Sequence, residues 1–462
     1  MPRSTRTTVL ALGLAAGVCF SQSAQPVQPA SDSLSARTDV RPAAGESRFA
    51  LLSLDDAIRI ALENNYSLSL ARDQTGLAAS SRLGGFGNFL PSAQANLSNT
   101  GPLPLNGSSP VTSVGASANW LVFDGFRNYN DYRRLQTQER IATLQLRLAL
   151  ESLLETVVVS YYDLVQQKQR LAAISELLSV SLERARLAQA KLEVGAGSKL
   201  DQLQSLSDLN EDSSSYLTQN VSLERAKVGL NLLLARDPAL EFDVADSIPL
   251  QAALPLDDWR KGLAENNASI AEAREQKTSS VYNLSETRGR WLPSLNTGVS
   301  YNSTPNLLNS QTGGLGRDGF GYSVNLSVPL FDKLATPTAV RQAKLNLHGD
   351  ETRLTQAEAQ AAADFEQARR QYQSGLRQIS LEERNLQVAR LQAEAALERY
   401  KLGASSPLEF RDAQTRLLDA EGRLITARQS AKQSEVALQR LSGILIRQAP
   451  SAAAQANPSG GK

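Results

Sequence analysis

One histidine and one cysteine in 462 residues leave almost no material for a metal cluster or a histidine-based triad. The histidine, His348, sits in a polar helical pattern and reads as a surface residue. The cysteine, Cys19, lies in an apolar N-terminal run, so a processed chain has no disulfide. Val18 precedes it, where a lipid-attachment site calls for a small residue. A basic excess is missing too. Lys and Arg number 48 against 47 Asp and Glu, a net charge of +1, which gives no support to nucleic-acid binding. Beyond the N-terminus no run reaches the ~18 apolar residues of a membrane helix. Nucleotide loops, metal motifs and triads are lacking, so neither an enzyme nor a cofactor is expected.

What is present begins with an export signal. Arg3 and Arg6 precede an apolar run from Val9 to Phe20, and small residues Ser21 and Ser23 follow. Residues 1–23 read as a signal peptide cleaved near Ser23. Residues 24–50, rich in Pro, Ser and Ala, read as a linker, and 448–462 as a disordered tail.

Between these ends the chain repeats itself. Leu54-Asp-Asp and Glu63-Asn-Asn recur as Leu256-Asp-Asp and Glu265-Asn-Asn, an offset of 202. Leu90-Pro-Ser recurs as Leu292-Pro-Ser at the same offset. Phe123-Asp recurs as Phe331-Asp, and Val194-Gly-Ala as Leu402-Gly-Ala, now 208 apart. The second half therefore carries a six-residue insertion between Pro293 and Phe331. The period is too long for a solenoid and indicates one duplicated unit. The first repeat is 51–250 and the second 251–447.

Each repeat opens on a short helix, where Ser53-Leu-Asp-Asp56 resembles a capping box. A helix follows over about 66–84, or about 268–290 in the second repeat, and Pro91 or Pro293 ends the pattern. Strict alternation comes next. Leu295, Thr297, Val299 and Tyr301 share one face, as do Phe320, Tyr322, Val324, Leu326 and Val328 after a turn with Gly313, Gly314 and Gly316. The first repeat supplies Ala93, Ala95 and Leu97, then Val114, Ala116, Ala118, Trp120 and Val122. Period two predicts strands with one apolar face, one hairpin per repeat at about 90–123 and 292–331.

Two proline-free stretches, 111–237 and 338–406, carry the rest. From Leu146 an apolar seam steps alternately by 4 and 3 through Leu150, Leu153, Val157, Ser160, Leu164, Gln167, Leu171, Ile174, Leu178, Ser181, Ala185 and Ala188 to Leu192. A mean step of 3.5 predicts a supercoiled helix from Arg127 to Leu192, on the order of 100 Å long. Gly195-Ala-Gly197 breaks it, and a return helix runs over about 199–235. The long helical hairpins are thus expected at about 126–236 and about 338–446, the second turning at Gly403–Pro407.

Four strands cannot close a barrel, and an open sheet edge cannot sit in lipid. Three chains would supply twelve strands, one even number that works.

These features together resemble the TolC-like outer-membrane efflux protein family. The resemblance rests on the signal peptide, the two repeats, the Leu-Pro-Ser hairpins ending in Phe-Asp, and the paired coiled helices over 51–447. Local segments agree: Trp120-Leu-Val-Phe-Asp-Gly125, Ser160-Tyr-Tyr-Asp-Leu164, Tyr400-Lys-Leu-Gly403 and Leu408-Glu-Phe-Arg-Asp-Ala413. The resemblance implies a mainly α chain with membrane β: a homotrimer with a twelve-stranded β-barrel and a long α-helical barrel. It implies an outer-membrane exit duct for efflux or type I secretion, set in outer-membrane lipid. A periplasmic adaptor and an inner-membrane pump would be its partners. A periplasmic coiled-coil scaffold or adaptor without a pore is the competing reading, against which the four strands argue.

The same resemblance points to site residues. Glu409 and Asp412, spaced i, i+3, match acidic rings at the periplasmic entrance; acids at a helix start also simply suit the dipole. Asp201 and Tyr400 match positions that hydrogen-bond between helix pairs as a latch, although packing alone would account for a tyrosine there. The family's Arg two residues past the second-turn glycine is Ser405 here. Val194, Gly195, Ala196, Leu402, Gly403 and Ala404 match adaptor-docking turns, and the glycines also stop helices. Trp120, Trp291, Tyr301 and Tyr322 are placed as membrane-interface aromatics, or as ordinary strand aromatics.

Overall fold

The computed structural model of the protein describes residues 51–100, 111–251, 253–303, 319–402 and 404–448. The signal peptide, the linker, the glycines at 313, 314 and 316, Gly403 and the tail beyond 448 lie outside these residues.

Helices α1 (Leu54–Asn64) and α2 (Tyr66–Gly87) lead to strands β1 (Ser92–Thr100) and β2 (Val111–Phe123). The long helix α3 (Arg127–Glu193) and its return α4 (Lys199–Leu233) follow. The order then recurs: α5 (Leu256–Lys261), α6 (Leu263–Asn266), α7 (Ala268–Arg288), β3 (Ser294–Ser303), β4 (Gly319–Ser327), α8 (Ala335–Lys401), α9 (Pro407–Leu441) and the short α10 (Leu445–Gln448). Helices α3 and α8 each have 67 residues, and α4 and α9 each have 35. No described helix is long and apolar enough to cross a membrane.

The repeated Glu-Asn-Asn motif is a two-sided clamp. The Asn65 Oδ1 accepts from the Ser67 and Leu68 N–H groups at 3.0 and 3.2 Å, capping α2. Its Nδ2 donates to the Leu233 carbonyl at 2.9 Å, tying that cap to the end of α4. Asn267 does the same for α7, with Leu441 at the end of α9 as its partner at 3.0 Å. The capping box is only half formed. Ser53 Oγ accepts from the Asp56 N–H, but the Asp56 carboxylate takes the Ser53 hydroxyl instead of its N–H. Asp is one methylene shorter than the usual Glu, and Pro255 offers no side-chain cap at all in the second repeat.

The Phe-Asp pairs turn strand into helix. The Asp124 carboxylate accepts from the Arg127 and Asn128 N–H groups, and Asp332 from Thr336. Two successive left-handed residues precede each helix: Gly125 and Phe126, then Lys333 and Leu334. Helix α8 starts at Ala335, earlier than the proline pattern predicts, because Pro337 sits in the first turn, where its missing N–H costs nothing.

The strands form one antiparallel sheet in the order β1-β2-β3-β4. Its register aligns the apolar positions of all four strands: Ala95 faces Ala116, Ala116 faces Tyr301, and Tyr301 faces Phe320. One correction applies to Val122. A bulge between Leu121 and Phe123 shifts the phase, so Phe123 lies opposite Leu295. The apolar face is bare, with Phe320 90% and Tyr322 86% exposed. The opposite face carries Asn96, Ser117, Asn119, Ser300 and Asn325 among its polar residues, and no strand residue is charged. Both edge strands, β1 and β4, lack an outer partner among the described residues.

Every position of the apolar seam on α3 is buried or half-buried. The main core gathers α1, the middle of α3 and the end of α4 around Leu154, Val157, Tyr161, Leu164 and Leu230. Phe242 and Val244, on the segment returning from α4, close it, and Tyr161 donates to the Leu52 carbonyl at 3.0 Å. A second core around Ile270, Phe365, Tyr372 and Leu438 serves the second repeat.

The return helices end sooner than the periodicity implies. Helix α4 stops at Leu233, and α9 at Leu441 rather than near 446. Ala235 and Gly443 take positive φ of 51° and 68°, and the next N–H bonds back five residues, Arg236 to Asn231 and Ile444 to Gln439. α10 resumes the helix through Gln448, the first residue assigned to the tail.

Candidate functional site

The predicted entrance and docking residues that are described lie at the far ends of the two helical hairpins. At the first turn Gly195 has φ +75°, and the Ala196 N–H bonds the Lys191 carbonyl at 2.8 Å. This closes a left-handed C-cap that favours glycine. Ser198 Oγ then caps α4 by accepting from the Leu200 N–H. The second turn repeats the long bond, Ala404 N–H to the Arg399 carbonyl at 2.8 Å, and Ser406 Oγ caps α9 through the Glu409 N–H. Val194 and Leu402 project from the tips, 78% and 81% exposed, beside exposed Leu200 and Leu408.

Glu409 and Asp412 are both exposed in the first turns of α9, but their surroundings differ. Glu409 Oε2 accepts from the Ser405 hydroxyl at 2.9 Å and has no cationic partner among the described residues. Asp412 pairs with Arg416 at 2.9 Å, one helical turn on. An i, i+4 pair with the acid first compensates the charge of Asp412 locally.

Among the described residues, Tyr400 and Asp201 share no hydrogen bond within the single chain, though the Asp201 charge reaches the Tyr400 hydroxyl. The Tyr400 ring is buried, stacked on Phe410 at 5.3 Å, with Lys191 Nζ 5.0 Å from its centroid. Burial pushes its hydroxyl pKa up, Arg184 works against that, and the Asp201 charge adds to it. Asp201 sits half-buried in the first turn of α4.

A charged cluster next to these residues escaped the sequence pattern. Arg411 of α9 grips both oxygens of Asp212 on α4 at 2.7 and 2.8 Å, with Glu211 at 3.8 Å. Asp212 also accepts from Ser181 Oγ of α3 at 2.5 Å. Arg184 pairs with Asp208 and is otherwise buried. Its bond to Asp212 holds the Arg411 pKa up, whereas burial first, and then Arg411, push that of Arg184 down. Part of this was legible: Ser181 and Asp212 lie nearly equidistant from the Gly195–Gly197 turn, as facing residues of a hairpin must. Arg411 belongs to the other repeat, and nothing in the sequence marks its partner.

The aromatics fall at different heights on the sheet. Trp120 donates Nε1–H to the Phe89 carbonyl at 3.0 Å near the foot of the sheet, and Trp291 is half-exposed just before β3. Tyr301 packs against Phe320 at 4.8 Å toward the opposite end, and Tyr322 faces Val299 between these levels. The rows of Trp120 and Tyr301 are four residues apart, about 13 Å at ~3.3 Å per residue.

Comparison with known proteins places this geometry. Residues 259–444 match the family model described as outer membrane efflux protein. The chain is 22% identical over 349 residues to the outer membrane efflux protein BepC of Brucella suis, covering 73% of this chain and 74% of that one. It is 26% identical over 362 residues to the probable efflux pump outer membrane protein TtgC of Pseudomonas putida, covering 76% and 72%. Among solved structures, the Campylobacter jejuni CmeC outer membrane channel superposes with a TM-score of 0.73 at 20% identity, over 84% of this chain and 85% of that one.

Proposed function

We propose that this chain, which belongs to the outer membrane efflux protein family, is one third of a passive exit duct in the outer membrane. The observation that carries this reading is the sheet. Four uncharged strands expose an apolar face and, among the described residues, leave two edges unpaired. Lipid tolerates such a sheet only when other copies satisfy its edges. Three copies give twelve strands, with the apolar faces toward lipid and the Ser- and Asn-rich faces toward the bore. The long hairpins, about 100 Å from the sheet junction to the tips, then continue the duct as a helical tunnel. The reading as a pore-free adaptor is not supported by the relatives, which are outer-membrane efflux proteins.

The two repeats, 51–250 and 251–447, each contribute a β-hairpin and a helical hairpin to this plan. Glu409 supplies the acidic charge at the entrance, three per trimer, with Asp412 largely offset by Arg416. Val194, Gly195, Ala196, Leu402, Gly403 and Ala404 form the tips that meet a periplasmic adaptor, and the exposed Val194 and Leu402 suit an apolar contact. An inner-membrane pump supplies the energy. Asp201 and Tyr400 restrain the hairpins at the entrance, with Tyr400 acting through its stacked ring as much as through its hydroxyl. Trp120 and Trp291 anchor the inner interface, and Tyr301 and Tyr322 lie farther into the bilayer.

Planar-bilayer recording of the detergent-extracted mature protein, with its mass measured in parallel, tests this reading. A trimer with small, cation-selective currents is expected. A soluble monomer without current overturns the duct.

A further inference from the structure

The strands carry no charge, and the helices beneath them begin with a surplus of it. Residues 124–134, 282–292 and 329–344, which flank the foot of the sheet, hold eight basic and four acidic side chains. All four acids are engaged: Asp124 and Asp332 cap α3 and α8, and Asp131 and Glu286 both hold Arg134. Arg288, Arg290 and Lys333 are exposed and form no ion pair among the described residues. The backbone gathers this charge. A Cβ on Gly125 would lie 2.4 Å from the Gly289 carbonyl oxygen, and one on Gly289 would lie 2.7 Å from the Arg127 Cγ. Only paired glycines let the two repeats meet here. Arg127 is thereby laid against Gly289, which Arg288 and Arg290 flank in sequence. Its Nε lies 4.0 Å from Asp124, whose oxygens already cap α3. Around these cations Phe126, Trp291 and Leu292 are 60, 50 and 43% exposed. At the edge formed by α2 and β1, residues 76–91 hold Arg82 as their one charge, so a neighbouring copy packing there brings no acid.

We propose that this rim of Arg127, Arg288, Arg290 and Lys333 binds the headgroups of anionic phospholipids in the periplasm-facing leaflet. It rests on the duct reading above, which sets the sheet in lipid and the helices outside it. An apolar sheet accepts any acyl chain; the charge step at its foot is what distinguishes one headgroup from another. Guanidinium groups match phosphate oxygens with paired donors and shed water more readily than an ammonium does. A zwitterionic headgroup brings its own ammonium, which offsets its phosphate, so it gains less from the rim. The attraction to a net negative leaflet adds across neighbouring cations and fades within a Debye length, about 8 Å at physiological salt. A cluster at the boundary therefore feels it, and charges farther down the helices do not. Trp291 then sits at headgroup level, the preferred depth of an amphipathic ring.

The test is native mass spectrometry of the detergent-extracted mature protein mixed with equal amounts of phosphatidylglycerol and phosphatidylethanolamine bearing the same acyl chains. The spectra give the oligomer mass and the retained lipids together. The parent is expected to retain phosphatidylglycerol several-fold over phosphatidylethanolamine, with the preference falling as ammonium acetate rises. Arg288→Gln with Arg290→Gln removes most of the preference, whereas Arg288→Lys with Arg290→Lys keeps most of it. Arg186→Gln with Arg377→Gln removes two exposed positive charges far from the sheet and leaves the ratio unchanged. If the glutamine pair at the rim fails to assemble, Lys333→Gln decides: a smaller shift in the same direction supports the rim, and no shift overturns it. A conducting trimer that holds both lipids alike overturns the rim alone, as does a rim glutamine pair with the parent's ratio or an equal fall in the control pair. A soluble chain that holds no lipid overturns the duct and the rim together.

Discussion

Replacing Asn65 by Ala removes three hydrogen bonds with one side chain. Two are the caps to the Ser67 and Leu68 N–H groups, and one is the donation to the Leu233 carbonyl. Losing the cap costs about 1 kcal/mol. Leaving the Leu233 carbonyl without its donor costs about 1 kcal/mol more, the low end of the range because that residue is only half-buried. The sum is about 2 kcal/mol. Asn267→Ala has the same geometry in the second repeat and shares no partner with Asn65, so the double variant loses about 4 kcal/mol. Hydrogen exchange reads the local part directly. A cap worth about 1 kcal/mol corresponds to roughly fivefold faster exchange at the Ser67 and Leu68 amides, since about 1.4 kcal/mol is tenfold. Asn65→Asp separates the two halves of the clamp: it retains the caps but turns a donor to Leu233 into a repelling acceptor. Unchanged exchange at 67 and 68 together with a parent-like thermal midpoint in Asn65→Ala would refute this reasoning.

Other predictions concern the entrance and the turns. Glu409→Gln lowers cation selectivity in bilayer recordings far more than Asp412→Asn, and Arg416→Gln raises it by uncovering Asp412; equal effects of the two acid variants contradict the pairing. Tyr400→Phe retains the stack on Phe410, so a rise in conductance in that variant assigns the latch to the hydroxyl and no change assigns it to packing. Ala235→Gly stabilises by about 1 kcal/mol, because Ala235 holds φ +51° where the second repeat uses Gly443; a lower thermal midpoint counts against it. Burial works against ionisation of Asp243, yet its bonds to Lys168 and the Val244 N–H hold its pKa below the usual 3.8. A lowered folded pKa means stability present above 3.8 and lost as pH falls through the folded value. Limited proteolysis of the segment around Asp243 should therefore quicken below that pH, and Lys168→Met should remove most of the dependence.

The architecture was legible because its signals are periodic. A 4-3 seam buries one stripe whatever the partner is, and α3 follows it from Leu146 to Leu192 without a break. Alternation in four separated segments placed the apolar positions of β1 to β4 on a common face, since register must keep a bare apolar surface together. Where a local competitor intervened, periodicity misled. The bulge before Phe123 reversed the phase at Val122, and the left-handed cap at Gly443 cut α9 short at Leu441. The Glu-Asn-Asn repeat was visible as a string, but its meaning was not, because Leu233 lies 168 residues beyond Asn65.

By itself the sequence determined the element types and the turns, each set by interactions within one helical turn or one hairpin. Only the tertiary structure decided that Arg411 closes on Asp212, that Asp412 pairs with Arg416, and that the Tyr400 ring stacks on Phe410. These are choices among several possible charge and ring partners at the hairpin tips. Charges have no periodicity to betray a partner 199 residues away; three-dimensional proximity makes that choice.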